Sequence, residues 1–219
     1  MQKWNNETPK DIYDEILITT HHLRFEIYLN EFNVDETFNP FPMTILFNNH
    51  ILVGTCQGTA GKKRIRGIMM EPLYVFNELL YAISWIMEPD SLEGGLYAGE
   101  LREYAKKLGF SVGDKNPLYL ISFGCCSVVI FEREDDSLLI HYYNSLINCD
   151  DSPYGTIKVN LREFIEEVLR SVFIYLTDYM EVVEKIRADY GQKPEEYMCN
   201  ELWSNYKHTL MRFKEIFKI

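Results

Sequence analysis

The stretch LYLISFGCCSVVIFEREDDSLLIHYY, residues 118–143, lies in the most apolar part of the chain, which extends from Pro117 to Gly191. Its pattern predicts a strand over residues 118–131, a tight acidic turn and a second strand over residues 138–143. A long helix is expected to follow and to end at Gly191, because glycine readily takes the left-handed conformation that closes a helix. This unit is expected to hold the core, and it contains no catalytic signature.

The long helix is predicted to begin after Asn160, because Asn160 and Glu163 resemble a capping box. Apolar residues recur at three- and four-residue spacing from Leu161 onward. At about 1.5 Å per residue the helix would be about 45 Å long, which exceeds the width of a small sheet. We therefore expect it to pack also against a final helix over residues 194–219. The residues of that helix expected to face inward are Tyr197, Leu202, Tyr206, Leu210, Phe213 and Phe217.

The sequence before this unit predicts an antiparallel meander of strands followed by two helices. The predicted strands are residues 16–29, 43–47 and 51–53, with a turn at Asn48-Asn49-His50, and the predicted helices are residues 72–87 and 97–108. The expected fold is a single α+β domain over residues 1–219. We expect a mostly antiparallel sheet of five or six strands, helices packed on one face, and a C-terminal helical hairpin over about residues 160–219.

The chain has 219 residues and a formal net charge of −11. Proteins that bind nucleic acid neutralise phosphates with Lys and Arg, so this charge disfavours nucleic acid and anionic membranes as partners. Residues 1–10 are polar and no apolar run approaches the length of a membrane span, so we expect neither a signal peptide nor a membrane anchor. Five cysteines, an odd number without a CxxC pair, favour a reduced, cytoplasmic setting.

Acidic residues and tyrosines cluster around the turn between the two predicted strands. The candidate partner contacts are Glu132, Glu134, Asp135 and Asp136 in the turn, Tyr142 and Tyr143 on the second strand, and Asp150 and Asp151 in the next loop. Clustered carboxylates steer a basic partner, and tyrosine is favoured in protein interfaces. The cluster therefore predicts a binding site for a protein with a basic surface. The alternative is a set of ordinary solvated edges and strand-packing tyrosines.

Two other classes of function remain open. In an enzyme, Cys125 or Cys126 would act as a nucleophile with His141 as the base and Glu132 as its acid partner. A catalytic cysteine usually occupies an electropositive position such as a helix N-terminus, which a strand does not supply. In a ligand-binding or regulatory domain, a cavity would lie between the sheet and the helix over residues 72–87.

No cofactor and no metal site are expected. The histidines are His21, His22, His50, His141 and His208, and their spacing matches no metal-binding motif. His21 and His22 are expected to point to opposite faces of one strand. The segment Gly58–Lys63 is superficially similar to a phosphate-binding loop, but Cys56 and Lys63 stand where that motif needs a glycine and a hydroxyl.

The strand pair, the acidic turn at residues 132–136 and the helix from Leu161 resemble in layout the bacterial immunity proteins that neutralise polymorphic or contact-delivered toxins. The resemblance covers about half of the chain and involves no shared motif, so no functional residue is carried over from it. It implies a tight complex with a basic toxin domain, inhibition by blocking the active site of that toxin, and no catalysis by this chain.

Overall fold

The computed structural model describes residues 15–31, 41–58, 64–88, 98–123, 126–149, 152–193 and 195–219. Helices and mostly antiparallel strands are both abundant, which confirms the α+β class. The strands are β1 (Glu15–Thr19), β2 (Leu23–Tyr28), β3 (Phe41–Phe47), β4 (His50–Val53), β5 (Thr55–Gln57), β6 (Arg64–Arg66), β7 (Ile68–Met70), β8 (Leu118–Phe123), β9 (Ser127–Glu134), β10 (Ser137–Asn144), β11 (Ile147–Asn148) and β12 (Tyr154–Asn160). The helices are α1 (Pro72–Met87), α2 (Ala98–Lys107), α3 (Leu161–Ile174), α4 (Met180–Asp189) and α5 (Glu196–Phe217), with a π-helical segment (Tyr175–Tyr179) between α3 and α4.

The described strands form three sheets rather than the single sheet expected. A five-stranded sheet has the order β1-β2-β3-β4, with β7 also paired to β3. A four-stranded sheet has the order β12-β10-β9-β8, and a small sheet has the order β11-β5-β6. The β5–β11 pair is parallel, and the other pairs are antiparallel.

The four-stranded sheet is covered on both faces, which corrects the expectation of helices on one face. Val129 and Phe131 of β9 point into the main core with α3, whereas Val128 and Ile130 point to a smaller core. The smaller core is closed by Ala105 of α2 together with Phe110 and Val112 of the following loop. Adjacent strand residues alternate between faces, so this one strand serves both cores.

The predicted strand over residues 118–131 is two strands, β8 and β9, which fold back on each other. The register pairs Phe123 with Ser127 at the closed end and Leu118 with Glu132 at the open end. A continuous 14-residue strand would extend about 46 Å, much longer than the eight residues of β10 can pair. The bulge predicted at Gly124 lies outside the described residues.

The N-terminal strands form hairpins. The predicted strand over residues 16–29 is broken by a turn at residues 20–22, where the Thr20 N–H donates to the carbonyl of Leu23 at 2.9 Å. The predicted turn between β3 and β4 is confirmed. Asn48 and Asn49 both have positive φ, 49° and 65°, which a tight hairpin turn of the primed type requires.

Helix α1 begins as predicted, with Pro72 in its first turn and the Glu71 carboxylate accepting the N–H of Leu73 at 3.1 Å. Its apolar side chains lie in the main core between α3, α5, β8 and β9. Phe76 contacts Phe25 and Tyr175, with ring centroids 5.0 and 4.6 Å apart. At this point side chains fill the space between the sheet and α1, where a ligand-binding domain would have its cavity.

The long helix begins and ends where the sequence predicts. Asn160 caps α3 by accepting the N–H of Glu163 at 3.1 Å, and Gly191 follows α4 with a φ of 78°. The C-terminal hairpin is also present, since α5 returns along α1 and α3. Leu202, Tyr206 and Phe213 are buried as expected, but Tyr197 is 78% exposed in the first turn of α5. No helix within the described ranges combines the length and apolar character that a membrane span requires.

Cys56 and Cys149 form a disulfide, so the expectation that the cysteines are reduced is wrong for this pair in the structure. Cys56 is fully buried on β5, and Cys149 follows the parallel partner β11. Sequence spacing gave no signal for the pair, because the two residues are 93 positions apart and meet only through the sheet. The disulfide anchors a small sheet whose apolar cluster is only a few residues wide.

Replacing both Cys56 and Cys149 by serine is expected to lower the free energy of unfolding by about 2–5 kcal/mol, because the disulfide closes a long loop and restricts the unfolded chain. Urea denaturation without reductant measures this change. Cys199→Ser, which alters a half-buried cysteine that forms no disulfide, is the control. Equal stability of wild type and double variant would show that the disulfide does not constrain the chain.

Candidate functional site

The predicted acidic turn lies between β9 and β10 and is exposed. Asp135 and Asp136 form the turn itself, and Asp135 has a φ of 53°. Neighbouring cations offset part of its charge: Lys158 pairs with Glu134 at 2.6 Å, and Arg133 donates to the Asp135 carbonyl at 3.2 Å. Three of the predicted contact residues are therefore available at the surface, with a smaller net negative charge than the sequence suggests.

Glu132 does not belong to this surface, because its side chain is only 1% exposed. One carboxylate oxygen accepts from the Gly113 N–H at 2.7 Å and from the Asn116 amide at 2.5 Å. The other lies 2.8 Å from His141 Nε2. Glu132 therefore connects the loop before β8 to the sheet, and its buried carboxylate cannot contact a protein partner in this structure.

His141 is not placed to serve a cysteine nucleophile. Its Nδ1 lies 2.8 Å from Thr156 Oγ1, so both ring nitrogens are engaged within the sheet. The register pairs His141 with Ile130, four residues from Cys126, or about 13 Å along the strand. Cys125 lies outside the described residues.

The order hydroxyl, imidazole, carboxylate in Thr156, His141 and Glu132 is also that of a nucleophile triad. Here the contacts follow from sheet register alone. His141 and Thr156 are direct Cα partners across β10 and β12, and Glu132 lies diagonally opposite His141 on β9. The carboxylate already accepts from the loop, so we interpret the row as a cross-strand hydrogen-bond network that stabilises the sheet.

The remaining predicted contacts divide between interior and undescribed positions. Tyr142 is buried, and its hydroxyl lies 3.2 Å from His50 Nδ1. Tyr143 is half-buried and packs against the smaller core beneath α2. Asp150 and Asp151 lie outside the described residues.

A different cluster of acids and tyrosines lies on the outer face of α1. Tyr74, Glu78 and Tyr81 are four and three residues apart and share the side of the helix that faces away from the core. Tyr74 is 47% exposed and Tyr81 is 41% exposed. These are large apolar surfaces to leave in water, and they lie beside a carboxylate.

Elements on both sides of α1 complete this cluster. From β8, Tyr119 donates a hydrogen bond to Glu78, as Tyr74 does from α1 itself. From α5, Glu201 accepts from the Tyr81 hydroxyl at 3.0 Å, and Asn205 donates to the same hydroxyl at 3.1 Å. We call Tyr74, Glu78, Tyr81, Tyr119 and Glu201 the tyrosine–glutamate surface.

The electrostatics of this surface distinguish it from the acidic turn. Burial raises the pKa of Glu78, although hydrogen bonds from Tyr119 and Tyr74 oppose the shift. Burial and the nearby Glu78 charge in turn raise the pKa of Tyr119. No lysine or arginine among the described residues contributes to the Glu78 shift. The carboxylate is thus partly desolvated and held by neutral hydroxyls.

The sequence contains one signal for this surface. Tyr74 and Tyr81 fall on the helix side opposite the apolar residues at helical spacing, such as Phe76, so aromatic residues are not needed there for packing. Tyr119 and Glu201 carry no such signal, because they reach the surface only through long-range packing of β8 and α5 on α1.

A third cluster brings together His21, His22 and Glu167. The expectation that the two histidines point to opposite faces of a strand is wrong, because they lie in the turn between β1 and β2. Their ring centroids are 4.0 Å apart, and Glu167 of α3 faces the same turn.

Comparison with protein-family models, with curated proteins and with solved structures finds no match to this chain. We therefore infer the function from the side chains, charges and contacts of this chain.

Glu132→Ala is expected to lower the free energy of unfolding by about 3–5 kcal/mol, because it removes the acceptor of the buried His141 ring and of the half-buried donors of Gly113 and Asn116. Glu134→Ala, two residues along the same strand, is the matched control and removes only an exposed ion pair worth about 0–1 kcal/mol. Urea denaturation compares the two variants. A loss of unfolding free energy that is small and equal in the two variants would indicate that Glu132 lies at the surface and is available as a partner contact.

Glu78→Gln is expected to make the protein more stable than wild type near neutral pH. A raised folded-state pKa means that folding disfavours the charged carboxylate, so wild-type stability falls as pH rises through that pKa. The advantage of the variant should disappear below about pH 4, where the carboxyl is neutral in both states. Thermal unfolding at acid and neutral pH tests this, with Glu181→Gln on the exposed side of α4 as control. An equal gain at both pH values would contradict the cause given.

Proposed function

We propose that this chain is a non-catalytic protein-binding protein whose partner presents a basic surface. The observation that carries the proposal is the tyrosine–glutamate surface, where exposed tyrosines surround a carboxylate that no cation in the described part of the chain neutralises. A folded protein gains no stability from such an arrangement, because the partly desolvated charge is unfavourable. The unfavourable free energy of this charge is offset when a partner supplies the missing positive charge.

The geometry suits an arginine or lysine side chain of the partner. A guanidinium pairs with a carboxylate through charge-assisted hydrogen bonds, and it also stacks favourably on aromatic faces. Glu78 offers the carboxylate, while Tyr74 and Tyr81 offer exposed rings on either side of it along α1. Tyrosine is among the residues that dominate binding energy in protein interfaces, because it buries a large area with few rotatable bonds.

The acidic turn extends the same region of the molecule. Arg133, which immediately precedes Glu134, donates to the carbonyls of Ile86 and Met87 at the C-terminal end of α1. Asp135 and Asp136 therefore lie near one end of the helix that carries the tyrosine–glutamate surface. We propose that these exposed acids steer the basic partner towards the surface, an effect that changes association rate more than final affinity.

The proposed partner is a toxin domain with a basic active-site cleft. Such toxin domains are the partners of the immunity proteins which the sequence resembles in layout. In that role the chain would block the cleft and would act in the cytoplasm. The redox state of the Cys56–Cys149 pair in the cell distinguishes a cytoplasmic from an oxidising setting. Reducing thiols of the cytoplasm oppose disulfides, whereas oxidising compartments preserve them. Isolation of the protein from its source cells with rapid thiol alkylation reports which state is present.

Affinity capture with the tagged full chain tests the partner. From lysates of the source cells grown under several conditions, we expect one stoichiometric protein with a basic domain, which high salt releases. Glu78→Lys is expected to weaken its binding about 30-fold or more, as for a central contact in an interface. Reversing Asp135 and Asp136 to lysine should mainly slow association.

Glu181→Lys makes the same charge change on the exposed side of α4 and is the control. Circular dichroism establishes that each variant is folded before binding is compared. Equal binding by wild type and Glu78→Lys would exclude the tyrosine–glutamate surface. An equal loss of affinity in Glu181→Lys would show that only the net charge of the chain matters. A partner that is acidic, or whose binding is insensitive to salt, would overturn the proposal.

A further inference from the structure

We propose that His21, His22 and Glu167 form a binding site for a divalent transition-metal ion, with zinc as the first candidate. The ligand atoms of the three side chains all lie within 4.8 Å of one another. Two imidazoles and one carboxylate are a donor set that zinc, iron and related metals accept in proteins. The site is independent of the tyrosine–glutamate surface, because it joins the β1–β2 turn to α3.

The first supporting observation is that Glu167 is held in a fixed position. Its oxygen Oε2 accepts from the Thr20 hydroxyl at 2.8 Å, from the His22 N–H at 2.8 Å and from the Leu23 N–H at 3.0 Å. The residue is buried, so this orientation is maintained by packing as well. The second oxygen, Oε1, is thereby directed to the imidazole of His22.

The second observation is that the tautomer of His22 suits a metal. His22 Nδ1 lies 2.6 Å from Asn48 Oδ1 in the β3–β4 turn. An amide oxygen only accepts hydrogen bonds, so Nδ1 carries the proton and neutral His22 presents the lone pair of Nε2. Metal-binding histidines are commonly oriented by a hydrogen bond from their other ring nitrogen.

The third observation is the distance between the two donor atoms. His22 Nε2 and Glu167 Oε1 are 3.9 Å apart, which is too long for a direct hydrogen bond. Bonds from zinc to nitrogen and oxygen are each about 2.0–2.2 Å, and at a tetrahedral angle they place the two ligand atoms about 3.4 Å apart. The observed separation is about 0.5 Å wider, so His22 and Glu167 can hold an ion between them after a small inward movement.

His21 completes the set from the exposed side of the turn. The ligand atom of His21 lies within 4.8 Å of the other two, so its ring has to move inward by at most about 1.4 Å to reach the tetrahedral spacing of about 3.4 Å. It is free to do so as an exposed side chain with its ring already beside that of His22. A cavity of about 330 Å³ adjoins the site and is lined by Thr20, His21, Glu163, Glu166, Glu167 and Arg170.

This cavity gives access to a fourth coordination position. Three protein ligands with one open position are typical of zinc sites that bind a water or an exogenous ligand. The cavity wall carries the carboxylates of Glu163 and Glu166 as well as the guanidinium of Arg170, so a neutral water is the expected fourth ligand. Bound metal would also tie the β1–β2 turn to α3, so that binding of the ion stabilises the folded chain.

The test uses the full chain, produced without a histidine tag and freed of metal by chelation and dialysis. Calorimetric titration with zinc chloride is expected to show one ion bound per chain, with a rise in melting temperature. Cobalt(II) should bind at the same stoichiometry and give visible absorption bands of a four- or five-coordinate ion. His21→Ala and His22→Ala are each expected to weaken zinc binding about tenfold or more.

Two further variants sharpen the result. Asn48→Gly keeps a residue that tolerates the positive φ of the turn but removes the hydrogen bond to His22, so it should weaken binding without removing a ligand. His208→Ala removes an exposed histidine of α5 and should bind zinc as wild type does. Unchanged affinity in both His21→Ala and His22→Ala, or the absence of stoichiometric binding, would overturn the proposal and leave Glu167 with only its structural contacts to the β1–β2 turn.

Discussion

The buried contact between Glu71 and Arg187 constrains much of the rest of the structure. The Glu71 carboxylate caps the first turn of α1 and also binds the guanidinium of Arg187 from α4. The same guanidinium lies over the ring of Phe41 and within 3.1 Å of Glu184, so β3, α1 and α4 converge on one charge. Burial raises the pKa of Glu71, which Arg187 opposes. Leaving one such buried charge unpaired costs about 3–5 kcal/mol, so the three elements are coupled.

Fixing the N-terminus of α1 determines which of its faces meets solvent. The helix is enclosed by α3, α5, β8 and β9, and only the side with Tyr74, Glu78 and Tyr81 faces outward. The π-helical segment also holds α1 in place, because it packs the fully buried ring of Tyr175 against Phe76 of α1. Side chains on a helix clamped in this way are pre-ordered, which lowers the entropy cost of binding a partner. Packing thus fixes the helix that carries Tyr74, Glu78 and Tyr81, while the rings of the two tyrosines stay exposed.

The local features of this fold could be predicted from the sequence, whereas its long-range contacts could not. The Asn160 cap, the Pro72 start of α1, the Asn48-Asn49 turn and the Gly191 stop each depend on a few neighbouring residues. The division into three sheets and the Cys56–Cys149 disulfide depend on which segments meet, which periodicity does not encode. The assignment of Glu132 to the acidic surface fails for the same reason. In sequence Glu132 adjoins an exposed turn, but in space it accepts hydrogen bonds from residues before β8.

The carboxylates of this acidic chain differ chiefly in the groups that bind them and stabilise their negative charge. Glu132 and Glu167 accept backbone N–H groups, and Glu71 binds a guanidinium, so each is explained by the contact that it stabilises. Glu78 is also partly buried, but it is held by tyrosine hydroxyls that leave its charge in place. A net charge of −11 would by itself assign function to none of these residues. Sorting them by partner supports the role proposed for Glu78, because a partly desolvated carboxylate with no cation among the described residues is unfavourable until a positively charged molecule binds it.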